Sequence, residues 1–138
     1  MSGGARFDMS DVRRLEAHLA RVIPRARRDT RAVVVRGALN IKRDWRANAR
    51  SSAPKHAPAY PRTIGYDIAA YGRDIVMATI GPENLHRTRG SQGALGAILE
   101  YGSVHNPPHR DGGRALDVEE PRFEAQLALI AERGLAWW

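Results

Sequence analysis

The chain has 138 residues, a formal charge of +7 and no cysteine. It is sized for a single domain, 1–138, and disulfide staples, thiolate nucleophiles and Cys-ligated zinc are excluded. The first residues lack the apolar run of a secretory signal, and no window reaches the roughly 18 to 20 apolar residues of a membrane span. The expected setting is therefore reducing and aqueous, with no membrane partner. Charge is unevenly spread: residues 1–62 hold 15 Arg or Lys against 5 Asp or Glu, and residues 63–138 hold 7 against 10. Lys42 and Lys55 are the only lysines. An arginine-rich half suits phosphate or an anionic protein surface, and it is also what a GC-rich coding sequence yields.

In chain order, Gly3 and Gly4 make a loose start, with 1–8 a flexible or interface arm. Asp8 or Ser10 then caps a short helix with Val12, Leu15, Leu19 and Val22 on its core face. Pro24 interrupts that helix and opens a second one, over 24–50. Val34, Ala38, Ile41, Trp45 and Ala49 follow spacings of 4, 3, 4 and 4, a narrow apolar stripe at helical period. Arg36, Arg43 and Arg50 recur every seven residues, about 160 to 200° from Val34 at 100° per residue. The helix thus has one packing face and one cationic face.

Residues 51–62 hold Pro54, Pro58 and Pro61 and read as an extended loop. A β-hairpin follows: 63–69 alternates, with Ile64, Tyr66 and Ile68 on one face, residues 71–74 turn, and 75–80 returns. Residues 83–93 are polar and form a loop. A short helix over 94–101 stops at Gly102, and 104–114 is a turn-rich loop. The closing helix begins between Ala115 and Pro121, with Leu116, Phe123, Leu127 and Ile130 on one face and Asp117, Glu119 and Glu120 at its positive end. Residues 136–138 form an apolar tail. The fold class is α+β: a long N-terminal helix packed on a small antiparallel hairpin, a short helix and a closing C-terminal helix.

Catalytic chemistry is missing. The serines sit in no nucleophile elbow, and both the Walker loop and the dinucleotide glycine fingerprint are absent. His105 and His109 flank Pro107 and Pro108, so no helix can align them on a metal. His18, His56 and His86 are expected to be solvated. The expectation is a non-enzyme with no catalytic residue, no cofactor and no metal. Arg36, Arg43 and Arg50 have two open roles. They can track a phosphate backbone without sequence preference, or pair with an acidic neighbouring surface such as one bearing Asp117, Glu119 and Glu120. Trp137 and Trp138 are either interface anchors or a cap folded onto the chain's own core.

Four segments, taken in order, resemble a protein family of long-tailed bacteriophages (siphophages): the neck, or tail-completion, proteins of the head–tail joining region. They are the helix ending Ala38-Leu39-Asn40-Ile41-Lys42-Arg43-Asp44-Trp45-Arg46, and the stretch Ala57-Pro58-Ala59-Tyr60-Pro61-Arg62-Thr63-Ile64 leading to Ile80-Gly81-Pro82. The third is Leu95-Gly96-Ala97-Ile98-Leu99-Glu100-Tyr101-Gly102, similar to the family's Glu-aromatic-Gly signature. The fourth is the Pro107-Pro108 loop leading through Ala115-Leu116 into the closing helix. The chain departs where the family often has Pro-Phe-Leu-Arg-Pro-Ala-Leu. Here the segment from Pro107 to Leu116 is far more polar. The resemblance implies a virion structural protein, in the host cytoplasm during assembly, that forms a homo-oligomeric ring, six-fold, between tail and head connector. Implied partners are the head connector or stopper and the tail terminator or tail-tube proteins, with genomic DNA in the lumen. The alternative function is a non-specific DNA-binding or packaging accessory.

Overall fold

A single helix, α1 (Met9–Ser52), runs for 44 residues, about 66 Å at 1.5 Å per residue. The computed structural model describes residues 9–52, 55, 57–83, 96–103 and 107–136. The expected break at Pro24 does not occur, because Pro24 lies inside α1. Proline removes the hydrogen bond to the carbonyl four residues back and crowds it. That carbonyl belongs to Ala20, and both Ala20 and Pro24 are exposed, so water can take the missing bond. On another side of the same stretch, the His18 ring lies 2.9 Å from the Gly134 carbonyl and Val22 packs beside Gly134. His18 is therefore half-buried, not solvated as its sequence context suggested.

After α1, the short helix α2 (Tyr60–Thr63) feeds β1 (Ile64–Tyr71), which pairs antiparallel with β2 (Ile75–Pro82). Part of the segment expected to be extended is thus helical. The register sets Tyr66 opposite Ile80, Ile68 opposite Ala78 and Ala70 opposite Val76. The expected inner face is the more buried, with Ile64 buried and Tyr66 and Ile68 half-buried, but the alternation is incomplete: on the other face Asp67 and Tyr71 are exposed, whereas Gly65 is buried and Ala69 half-buried. Gly72 takes the tight turn with φ +65°, a conformation glycine adopts without a Cβ penalty. Arg27 of α1 grips the hairpin tip through Asp74 at 2.8 Å.

Helix α3 (Gly96–Tyr101) ends at Gly102, whose φ of +79° makes it the expected left-handed stop. Helix α4 (Asp111–Leu135) then returns along α1. It starts four residues before the earliest expected position, Ala115, and Pro121 lies inside it. The loop expected at 83–93 lies, Glu83 apart, outside the described residues.

The apolar centre sits at the C-terminal end of α1. Ala49, Ala57, Tyr60, Ile64 and Leu99 form the buried cluster, with Trp45 and Ile80 packed against it. The expected α1 stripe is the packing face, with Ala38 and Ala49 buried and Val34, Ile41 and Trp45 half-buried. Trp45 also covers the start of α4, since a Cβ on Gly112 would stand 2.7 Å from three of its ring atoms. Gly112→Ala should displace the indole and destabilise the fold by about 1–3 kcal/mol, and Trp45→Ala by about 3–5 kcal/mol. Chemical denaturation of both variants checks this. An unaltered Gly112→Ala midpoint would place the indole elsewhere.

Candidate functional site

The polar residues at the start of α4 hold structure together. Arg110 precedes the helix with φ +52° and caps nothing with its side chain. The cap comes from α3: the Glu100 carboxylate accepts the N–H of Gly112 at 2.9 Å and of Gly113 at 2.7 Å. These are two of the four donors that a helix start leaves open, and negative charge is favoured there. Asp111, 1 % exposed, accepts from Ser52 Oγ at 2.6 Å and Arg114 Nη2 at 2.7 Å, while Asn48 donates to its carbonyl at 3.0 Å. Further along, Asn40 donates to both Glu119 oxygens at 3.2 Å, and Arg122 lies 3.4 Å from one of them. The polar run at the start of α4 is thus a hydrogen-bonded joint between α1, α3 and α4.

Tyr60, 1 % exposed, lies close by. Burial raises its phenol above the ordinary value of 10.0. The Trp45 indole N–H acts in the opposite direction, and the negative charges of Glu100 and Asp111 add to the rise. Neither the indole N–H nor the phenol completes a hydrogen bond of good geometry. His109 Nδ1 stands 3.9 Å from Asp111 Oδ2. His105 lies outside the described residues, and no group of three His, Asp or Glu among the described residues is arranged for a metal ion.

What remains available is surface. Arg36, Arg43 and Arg50 are all exposed on the side of α1 away from its packing stripe. Arg43 pairs with its neighbour Asp44 at 3.0 Å, and Arg36 and Arg50 make no ion pair among the described residues. The structure adds three residues to the line. Arg14, Arg21 and Arg28 recur every seven residues on the same side and are exposed. Their spacing was visible, but a break at Pro24 would have severed Arg14 and Arg21 from Arg28 and Arg36; once α1 is continuous, one eight-residue step joins the two series. Glu119 leaves the set of candidate acidic surface residues, being buried against Asn40. Asp117 and Glu120 stay exposed, joined on α4 by Glu124 and Glu132. Trp137 and Trp138 lie outside the described residues.

An open groove of about 430 Å³ runs between β2 and α4, floored by Val34, Ala38 and Ile41 and flanked by Ala78, Leu116 and Phe123. Its lining offers no nucleophile beside a base, so it has the character of a packing surface.

Two measurements probe the joint. Glu100→Ala should leave two N–H groups without a partner and cost about 1–3 kcal/mol. Amide exchange at Gly112 and Gly113 should accelerate, and unchanged protection there would show that the helix start is held otherwise. Tyr60 is protonated in the folded state at pH values where the unfolded phenol ionises, so stability should fall as pH rises above about 10. Alkaline denaturation curves of the parent and Tyr60→Phe should differ, with the parent losing more. In comparisons with known proteins, no protein-family profile matches the chain, and neither a curated protein nor a solved structure gives a significant match.

Proposed function

We propose that the chain is a structural subunit of the head–tail joining region of a long-tailed bacteriophage, a neck or tail-completion protein working as a ring between tail and head connector. The observation that carries this reading is the apolar surface left uncovered. Leu15, Leu19, Ile23, Leu39, Tyr71, Ile75, Met77, Leu116, Val118 and Leu129 are all exposed, whereas the buried apolar side chains among the described residues are mostly alanines. Isolated exposed apolar residues are ordinary, but several on each packed element mark a surface meant for protein neighbours. The α+β order of elements and the four resembling segments support the same reading. So does the use of Glu100, Asp111 and Glu119 as structural partners at the joints of α4. We therefore read the protein as non-enzymatic and as part of the virion. No described helix is long and apolar enough to cross a membrane.

The arginine line favours a second reading, a non-specific DNA-binding or packaging accessory. The two readings part in a particle-producing system. Without the protein, a joining subunit should leave DNA-filled heads and completed tails unattached, visible by electron microscopy. Empty heads with normal attachment would overturn the neck reading and support the packaging one.

A further inference from the structure

We infer that the arginine face of α1 in one copy docks on the outer, acidic face of α4 in the next copy, a head-to-tail contact between unlike surfaces of the same chain. This rests on the self-assembling part of the reading above and names its interface.

The α1 surface is defined by Arg36, Arg43 and Arg50, with Leu39 among them and 41 % exposed. Arg36 and Arg50 lie fourteen residues apart, about 21 Å along the axis. The α4 surface is defined by Asp117, Glu124 and Glu132, all exposed and none in an ion pair among the described residues. The end pair spans about 22 Å. The carboxylates step by seven and eight residues and the guanidiniums by seven and seven, so the two rows have nearly the same length and pitch. Between the acids, Pro121, Ala125 and Ala128 lie on the same exposed face. Small side chains let a second helix approach closely, and Leu39 has an apolar strip to meet. Of the three arginines on α4, Arg114 and Arg122 are engaged by Asp111 and Glu119, and Arg133, next to Glu132, alone makes no ion pair among the described residues.

The same chain cannot satisfy its own rows. Asp117, Glu124 and Glu132 lie on the side of α4 away from Glu119 and Phe123, the residues that face Asn40 and Gly37 of α1, so the acidic row points away from its own α1. A contact between two different faces of identical copies is heterologous, and repetition of it closes a ring when the rotation permits. Duplex DNA is the competing occupant. It explains the guanidiniums but gives Leu39 nothing to cover.

The test uses the absence of natural cysteine. Leu39→Cys and Ala125→Cys chains are prepared separately, then mixed at high protein concentration and oxidised. The expected product is a mixed disulfide dimer, with little dimer from either chain alone. In the Leu39→Cys chain, R36E/R43E/R50E should reduce mixed dimer about ten-fold or more, because like charges then face each other. Adding D117R/E124R/E132R to the Ala125→Cys chain should restore it. Dimer from Leu39→Cys alone would mean a symmetric α1–α1 contact and overturn the inference. So would absence of mixed dimer, or failure of the charge swap to restore it. If the mixed dimer is missing and R36E/R43E/R50E instead abolishes retention of duplex DNA, the face belongs to DNA. A ring built on another contact would still join heads to tails, so failure here is separable from failure of the neck reading.

Discussion

The continuity of α1 across Pro24 is the constraint on which the remaining packing rests. The hairpin and α4 both make their extensive contacts with α1, so a bend or break would change their relation to each other. An interior proline costs a helix about 3 kcal/mol. Helix α4 acts as a splint against that cost. It reaches His18 and Val22 ahead of the proline through Gly134, and Gly37 and Asn40 beyond it through Phe123 and Glu119. Two helices laid side by side over this length tolerate one missing hydrogen bond that a lone helix of the same sequence would not.

The seam between those helices is unusual in being partly polar. Asn40 with Glu119, and Asn48 and Ser52 with Asp111, lie where an apolar pair would be the simpler solution. A buried carboxylate is tolerable only when its oxygens are matched by donors, and here they are. Such pairs also fix register. Sliding α4 by one turn would part Glu119 from Asn40 and Asp111 from Asn48 and Ser52 together, so both sets of bonds would have to break at once. The same logic ties α3 to the joint, because Glu100 can reach both Gly112 and Gly113 only in one placement.

The elements with local signatures were legible in the sequence. The 4-3-4-4 apolar spacing from Val34 to Ala49 gave the packing face of α1, the alternation from Ile64 to Ile68 gave the hairpin faces, and Gly102 gave the end of α3. Failures came where a distant residue settles a local question. Pro24 reads as a break unless one knows that α4 braces the helix on both sides of it. His109-Arg110-Asp111-Gly112-Gly113 reads as a loop because its cap, Glu100, lies in the last turn of a different element, α3. Glu119 and Glu120 look equivalent side by side, yet the turn of the helix buries the first and exposes the second. Among the site residues, the three arginines were readable from their seven-residue recurrence. Their continuation to Arg14 and Arg21 was hidden by the misplaced break, and Arg28 by the eight-residue step to Arg36.

The His18 contact has a consequence for how the chain is made. Its carbonyl partner on Gly134 is 116 residues further along. At about 5–20 residues per second, a ribosome needs roughly 6 to 23 s to synthesise that interval. Throughout that interval, α1 has emerged without the helix that braces it, with its apolar stripe uncovered and its proline unsupported. Completion of the domain waits for the last turn of α4, which carries Gly134.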